Sequence, residues 1–265
     1  MNTYTGGLTN IKIKIVYAKI IAIKTNRTLI FIDMPMWSKI YKSNKFNISN
    51  YFILNHLGEL VSDNDVSKLN KYSFRGSARS DDTIDKIVND INKLKSNDIL
   101  LNGDMILSRK CVNELNDNIH LFNSIKTLNP IDVERWDITL HLRLESDQPW
   151  IKHFDINNCI KSILAKWSKY KINILCNFEE LSIKYRNTLD LLKNNYQDLI
   201  FINRPNDETY ELNAEKDFQT ILKSIIFVAI TKYSTFANLA CKIRNKDSYI
   251  FENNKINQYN PKYIY

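Results

Sequence analysis

Two polar side chains stand one residue apart in the otherwise apolar stretch DITLHLRLESD, residues 137–147. Alternate residues of a strand share a face, so His141 and Arg143 are predicted to point the same way while the leucines around them point the other. Arginine offers a permanently charged, planar fork of donors that fits two phosphate oxygens, and a histidine beside it can donate or accept a hydrogen bond. At the carboxyl end of a parallel strand, both would face the crevice where α/β folds bind ligands. The spacing alone also allows a surface ion pair between Arg143 and Glu145.

Two further stretches contain residue types that bind anions. TGGLTN, residues 5–10, places Gly6 and Gly7 before a long helical segment, where paired glycines allow a tight turn and close approach to a ligand. IIFVAITKYSTFANLACKIR, residues 225–244, has the pattern of a buried strand, a polar turn and a helix that begins near Ser234 and Thr235. Hydroxyls and unpaired backbone N–H groups at a helix start form an anion site. A plain turn and a plain N-cap remain the alternatives for these two stretches.

The elements that must position these residues alternate along the chain. Predicted strands, short and rich in β-branched or aromatic residues, lie at 27–33, 97–104, 137–144, 171–177, 198–204 and 224–230. Predicted helices, with apolar residues three or four positions apart, lie at 81–98, 157–170, 178–195 and 215–224. The segment 11–24 opens with the alternation of a strand and continues like a buried helix, and its length favours a helix. Asp81 and Asp217 stand where N-caps are expected. This alternation predicts an α/β protein with mostly parallel sheets and helices on their faces.

Length and composition bound the organisation of the chain. With 265 residues, 44% of them hydrophobic, it can bury a substantial core, and the polar stretch containing Pro130 predicts a boundary between lobes at 1–125 and 126–265. The four cysteines, at 111, 159, 176 and 241, lack zinc-site spacing and are predicted to be reduced, which favours a cytoplasmic location. No uncharged apolar stretch reaches the roughly 18 residues that span a bilayer, and peripheral membrane association stays open.

The net charge of +8 is compatible with an anionic partner, whether nucleic acid, a phosphate-bearing substrate or an acidic membrane surface. The lysines are scattered along the chain and form no block. This distribution favours a solvated basic surface, and a nucleic-acid-binding protein is the alternative in another functional class.

Taken in order, the three stretches resemble the motifs of the fucosyltransferase-like superfamily of glycosyltransferases, which includes protein O-fucosyltransferases and bacterial α-1,2- and α-1,6-fucosyltransferases. GGLTNIKIKIVYAKIIAIKTNRTLIFID is similar to the opening motif of that group, HLRLESD to its HxR motif, and DFQTILKSIIFVAITKYSTFANLA to its closing motif. The resemblance implies a GT-B fold, in which two Rossmann-like lobes with mostly parallel sheets face a central cleft. It places the acceptor side in lobe 1–125 and the nucleotide-sugar donor in lobe 126–265.

The resemblance also implies roles for individual residues. Arg143 would grip the donor diphosphate and stabilise the departing nucleotide, and His141 would contact or position the donor. Glu145 is a candidate general base, as is Asp147. The residues implied in donor binding are Gly6, Gly7, Asn10, Asp147, Ser234, Thr235 and Phe236.

The implied activity is transfer of a sugar, with fucose from GDP-fucose as the first hypothesis, onto a glycan or glycoconjugate acceptor. The resemblance implies no cofactor beyond the nucleotide-sugar co-substrate, no metal and no nucleic-acid partner. A metal-binding role for the DND sequence at 63–65 is accordingly not expected. The acceptor, the linkage and the oligomeric state stay open. A catalytically inactive relative that only binds nucleotide-sugars is a further alternative.

Overall fold

The computed structural model of the protein describes residues 8–32, 35–37, 45–47, 52–53, 57–61, 70–73, 83–94, 99–102, 112–127, 132–144, 154–178, 181–203 and 210–262. The chain divides into two compact units, Met1–Pro130 and Ile131–Tyr265. The predicted assignment of lobes to acceptor and donor stays a prediction. Among the described residues, no helix has both the length and the apolar character needed to cross a bilayer.

The first unit combines short strands with helices. Its elements are α1 (Leu8–Lys24), β1 (Ile30–Ile32), β2 (Pro35–Trp37), β3 (Lys45–Asn47), β4 (Phe52–Ile53), β5 (Glu59–Val61), β6 (Asn70–Ser73), α2 (Ile84–Lys93), β7 (Ile99–Asn102), α3 (Val112–Asp117), a 3-10 helix (Ile119–Ser124) and β8 (Lys126–Thr127). Strand β1 pairs with β5 and β6 pairs with β7, both in parallel. Strands β2 and β3, and β4 and β8, form antiparallel pairs.

Helix α1 is the buried centre of the first unit. Apolar residues lie on most of its sides, and almost all of its described residues from Thr9 to Ala22 are buried, including Lys12 and Lys14. The helix packs against α2, α3 and the 3-10 helix. A helix that is apolar all round is expected to be buried in this way. The predicted helix at 11–24 is therefore confirmed, and it begins earlier, at Leu8. It ends where Asn26 adopts a left-handed conformation with φ of 52°.

The second unit is one six-stranded sheet with helices between its strands. Its elements are β9 (Ile138–His141), α4 (Ile156–Lys166), β10 (Ile172–Leu175), α5 (Ile183–Asn195), β11 (Ile200–Asn203), α6 (Tyr210–Lys223), β12 (Ile226–Ala229), α7 (Thr235–Arg244), β13 (Ser248–Glu252) and β14 (Lys255–Gln258). The strand order is β11-β10-β9-β12-β13-β14, and every neighbouring pair is parallel except β13 and β14. The predicted α/β fold with mostly parallel strands is confirmed.

The order of the sheet makes its first strand a central one. After β9 the chain builds outward through β10 and β11, and then returns to the other edge of β9 with β12. Numbered from β9, this is the doubly wound order 3-2-1-4-5-6. The direction of winding therefore reverses between β9 and β12, and in open α/β sheets ligands bind at the carboxyl ends of the strands at such a reversal.

The alternation predicted for β9 is seen in its burial. Leu140, Leu142 and Leu144 are at most 1% exposed and belong to a core cluster that includes residues of α4 and α5. His141 and Arg143, on the alternate positions, keep part of their surface exposed. The six predicted strands each contain an observed strand, which is shorter than predicted by a residue or more at either end.

Two predicted N-caps are wrong, and the helix predicted at 178–195 begins five residues later, at Ile183. Helix α2 is capped by Thr83, whose Oγ1 accepts a hydrogen bond from the backbone N–H of Lys86 at 3.1 Å, and the cap is therefore not Asp81. Helix α6 begins at Tyr210, so Asp217 lies in its interior and is not its N-cap. The acidic first half of α6 lacks a clear apolar period, and the prediction therefore began the helix too late.

Arg244 fixes the C-terminal end of α7. Its guanidinium is 6% exposed and donates to the backbone oxygens of Ser224, Ile225 and Asp247 and to Oγ of Ser248, the first at 2.7 Å and the last at 3.0 Å. A cation at this end of a helix is also favoured by the helix dipole. The contact ties α7 to the segment before β12 and to β13.

Strands β13 and β14 form a hairpin that is not among the predicted strands. Its two turn residues, Asn253 and Asn254, have φ of 53° and 58°. Two consecutive residues with positive φ match a type I′ turn, which favours asparagine because its short polar side chain tolerates that conformation. The Asn-Asn pair is the sequence signal that identifies this hairpin.

Candidate functional site

The site is built where β9 and β12 end side by side. His141, the last residue of β9, is paired in register with Ala229 of β12 on one side and with Leu175 of β10 on the other. The chain leaves β12 through a short turn and enters α7 at Thr235. The end of β9 and the start of α7 therefore meet at the reversal point of the sheet.

An aromatic contact joins the two elements. The His141 ring lies 5.2 Å from the ring of Phe236 between centroids, and Phe236 in turn lies edge-on to Phe218 of α6 at 5.3 Å. Such tilted and edge-to-face pairs are favoured arrangements of aromatic rings. The stack fixes the imidazole against the first turn of α7.

The imidazole of His141 is neutral at physiological pH. Burial and the positive charge of Arg143 lower the pKa of His141 from 6.5 to about 3. A neutral imidazole has one nitrogen that donates and one that accepts, so it can orient a ligand through hydrogen bonds but adds no charge. The fixed positive charge in this segment is on Arg143.

Arg143 continues from the end of β9 along a firmly placed backbone. The N–H of Leu142 donates to the carbonyl oxygen of Leu175 at 2.8 Å, and Leu144 is buried in the core. The leucines on both sides of Arg143 thus hold its backbone, while the guanidinium stays partly exposed. A guanidinium is a charged, bidentate donor, and when its backbone is held in place it is suited to bind an oxyanion such as phosphate.

The turn before α7 is made of residues 231–234. The Oγ of Ser234, which is fully buried, accepts a hydrogen bond from the N–H of Ala237 at 3.2 Å and so caps the helix. The N–H of Tyr233 donates to Oγ1 of Thr231 at 3.1 Å. Among the described residues, no partner accepts a hydrogen bond from the backbone N–H of Thr235 or Phe236. Those two groups, at the positive end of the helix dipole, are available to an anion.

Asn238 and Tyr259 support this turn, and neither was predicted as a site residue. Nδ2 of Asn238 donates to the backbone oxygen of Lys232 at 2.9 Å, and the Tyr259 hydroxyl donates to Oδ1 of Asn238 at 2.8 Å. Asn238 is 2% exposed. In the sequence, the signal for this role was the polar Asn238 within the otherwise apolar FANLA stretch. Its hydrogen-bond partners could not be predicted from the sequence.

The structure brings together some of the predicted site residues. His141 contacts Phe236, Arg143 lies two residues after His141, and Ser234 and Thr235 directly precede Phe236. Asn10 lies in the first turn of α1, in the other unit. Gly6, Gly7, Glu145 and Asp147 lie outside the described residues, as does the DND sequence at 63–65. The functional roles of all these residues stay predictions.

Within the described part of the chain, no group of three or more His, Cys, Asp or Glu side chains is placed to hold a metal ion. Three of the four cysteines, Cys159, Cys176 and Cys241, are buried and form no disulfide. Burial raises the pKa of the Cys241 thiol to about 11, and the pKa of Cys159 rises for the same reason. Neither Cys159 nor Cys241 is therefore activated as a nucleophile.

Comparisons with known proteins place the fold. By sequence, the chain matches no protein-family model and no curated protein. By structure, it has the α/β fold of fucosyltransferase-like GT-B proteins. One match is a mutant of Arabidopsis thaliana FUT1 in complex with GDP, at a TM-score of 0.61 and 11% identity, over 97% of this chain and 72% of that chain. Another is NodZ alpha-1,6-fucosyltransferase soaked with GDP-fucose, at a TM-score of 0.55 and 15% identity, over 98% of this chain and 94% of that chain.

Proposed function

We propose that the protein is a glycosyltransferase that takes its sugar from a nucleotide diphosphate donor. The observation that carries the proposal is the contact of His141 with the start of α7 at the reversal point of a doubly wound sheet, with Arg143 two residues further along the chain. This is the position at which folds of this type bind nucleotides. The likeness to solved structures that contain GDP or GDP-fucose supports the same class of ligand.

The residue types suit the chemistry of the donor. As the bond between sugar and diphosphate breaks, negative charge grows on the phosphate oxygens and positive charge on the sugar ring. Arg143 and the N–H groups of Thr235 and Phe236 are fixed donors for that negative charge, and donors that need no rearrangement stabilise the transition state more than the ground state. Loss of one such donor typically costs about 10²–10³ in kcat.

His141 has a different role in this proposal. Because its imidazole is neutral and stacked on Phe236, it orients the donor by hydrogen bonding. Glu145 is the proposed general base, and Asp147 the proposed contact to the nucleotide. Gly6, Gly7 and Asn10 are proposed to approach the sugar and diphosphate. Ser234 contributes by capping α7, which keeps the helix start in place.

For the donor we propose GDP-fucose, and for the acceptor a glycan or glycoconjugate. The GDP part of this proposal is supported by the ligands of the two solved structures, and the fucose part by the NodZ match. The leaving diphosphate is proposed to be stabilised by Arg143 and the start of α7, without a metal ion.

The test is thermal unfolding of the protein against GDP, UDP, dTDP and their sugar conjugates. A ligand at 100 times its dissociation constant stabilises the folded state by about 2.7 kcal/mol, which is readily measured as a raised midpoint. The wild type is compared with Arg143→Ala and with Arg135→Ala, which removes an exposed arginine from the segment before β9. The stabilising conjugate is then incubated with the protein, and release of the nucleoside diphosphate is followed with and without glycan acceptors.

We expect one nucleotide family to stabilise the wild type and Arg135→Ala but not Arg143→Ala. If the two arginine variants respond alike, Arg143 does not bind the donor. If no nucleotide stabilises the wild type while DNA or RNA does, with a steep salt dependence, the protein is a nucleic-acid-binding protein and the proposal is wrong. Binding of a conjugate without any release of nucleoside diphosphate identifies an inactive nucleotide-sugar-binding relative.

A further inference from the structure

A chain of hydrogen bonds connects the turn before α7 to the C-terminal segment. Both polar ends of the Asn238 amide are used, since Nδ2 donates to the Lys232 oxygen at 2.9 Å and Oδ1 accepts from the Tyr259 hydroxyl at 2.8 Å. Tyr259 is itself fixed, because its backbone N–H donates to the oxygen of Ser248 on β13 at 2.7 Å. Burial also raises the pKa of Tyr259, so the phenol keeps the proton that it donates.

These hydrogen bonds hold the same turn as the Ser234 cap of α7. The carbonyl that Asn238 holds belongs to Lys232, two residues before the capping Ser234. Ser234 holds the helix side of the turn through Ala237, and Asn238 holds its strand side. Lys232 also forms an ion pair with Glu252 at 3.3 Å, but both side chains are about half exposed, and such pairs contribute little.

We propose that Asn238 and Tyr259 are positioning residues for the donor diphosphate. They hold residues 231–236 so that the N–H groups of Thr235 and Phe236 are aimed at the phosphate before it binds, without contacting the ligand themselves. The inference rests on the proposed function. Donors that bind an anion are effective only if their supporting contacts hold them in place. The polar side chains of Asn238 and Tyr259 supply such contacts. The segment after β14 thereby becomes part of the site.

The fold does not need the Tyr259 hydroxyl to keep α7 in place. The far end of α7 is tied down by Arg244, and β13 pairs with β12 through its own backbone. Among the residues that the structure describes, the phenol oxygen hydrogen-bonds to Asn238 alone. Its removal is therefore expected to loosen the turn selectively while the sheet and helix remain.

The test compares Tyr259→Phe with Ser248→Ala. The first removes the hydroxyl that donates to Oδ1 of Asn238. The second removes the hydroxyl that Arg244 binds at 3.0 Å, at the opposite end of the same helix. Two readouts are taken from each variant and from the wild type. The first is hydrogen–deuterium exchange of residues 231–237 without nucleotide, and the second is the dissociation constant for GDP by calorimetry.

We expect about tenfold faster exchange of residues 231–237 in Tyr259→Phe, and about tenfold weaker GDP binding, equivalent to about 1.4 kcal/mol. Ser248→Ala should leave both quantities at the wild-type values even where it lowers the unfolding midpoint. The double variant Asn238→Ala/Tyr259→Phe should bind GDP almost as tightly as the single variant Asn238→Ala, because the two side chains act as one unit.

Three results are decisive against one or the other proposal. Unchanged exchange in Tyr259→Phe overturns the positioning role, because the turn is then held without the phenol. Equal GDP affinity in wild type and Tyr259→Phe overturns it as well. If the wild type binds no nucleoside diphosphate, the proposed function fails, and the exchange data alone then decide whether the two residues hold the turn.

Discussion

The neutral His141 makes the stability of the protein depend on pH in a calculable way. In the folded state its pKa is lowered to about 3 by burial and by Arg143, whereas an unfolded chain restores the ordinary value of 6.5. A lowered pKa means that the unfolded state takes up a proton first as the pH falls. The stabilisation is therefore complete above pH 6.5 and is lost between pH 6.5 and pH 3.

The size of this effect follows from the two values. Between pH 8 and pH 5, protonation of His141 in the unfolded chain should lower the free energy of unfolding by about 2 kcal/mol, and the full loss below pH 3 approaches about 5 kcal/mol. The variant His141→Gln keeps a neutral polar side chain and removes the proton-binding group. Its free energy of unfolding should therefore fall by about 2 kcal/mol less than that of the wild type over the same interval.

The assay is urea unfolding of wild type and His141→Gln at pH 5, 6, 7 and 8, with His120→Gln as the matched control. His120 lies exposed in the 3-10 helix, so its replacement also removes one imidazole but not the one that is stacked on Phe236. Proton NMR of the imidazole checks the same point directly. Parallel pH curves for wild type and His141→Gln, or an imidazole signal that shifts near pH 6.5 in the folded protein, would refute the reasoning.

Three stability predictions concern other buried contacts and are checked by urea unfolding. Thr139 is fully buried and its Oγ1 has no hydrogen-bond partner within the described structure, so Thr139→Val should stabilise the protein by about 1 kcal/mol; a loss of stability would mean that the hydroxyl is satisfied in solution. A Cβ on Gly58 would stand 2.2 Å from the backbone oxygen of Leu29, so Gly58→Ala should lower the free energy of unfolding by about 1–3 kcal/mol. An unchanged free energy would show that this backbone moves easily. Arg244→Met leaves three backbone carbonyl oxygens without their donor, including the buried one of Ser224, and should cost about 3 kcal/mol or more. Lys242→Met, which removes a more exposed cation from the same helix, should cost little.

Local sequence pattern predicted the elements of the second unit well. A strand of this sheet is buried on both sides, so runs such as SIIFVAI identify it without any tertiary information. The alternation in HLRL likewise placed His141 and Arg143 on the side away from the leucine core. Helix α1 was predicted from the length of its segment, although the first residues of that segment alternate like a strand.

The supporting contacts were not predictable, because their partners are distant backbone groups. Arg244 looks like an ordinary basic residue at a helix end, yet it binds carbonyl oxygens about 20 residues earlier in the chain. Asn238 reaches back to Lys232 and forward to Tyr259, and only the assembled sheet brings these groups together. The strand order itself also had to come from the structure, since the same alternation of strands and helices is compatible with several orders.

The central position of β9 has a consequence for how the protein is synthesised. Ile138 pairs with Ile172 and with Ile226, which lie 34 and 88 residues further along the chain. As the chain leaves the ribosome, one edge of β9 can be covered early, whereas the other stays open until β12 has emerged. An open strand edge is a template for pairing with another chain. The edge that carries the candidate site is thus the last to close, and nascent or C-terminally truncated chains should aggregate there.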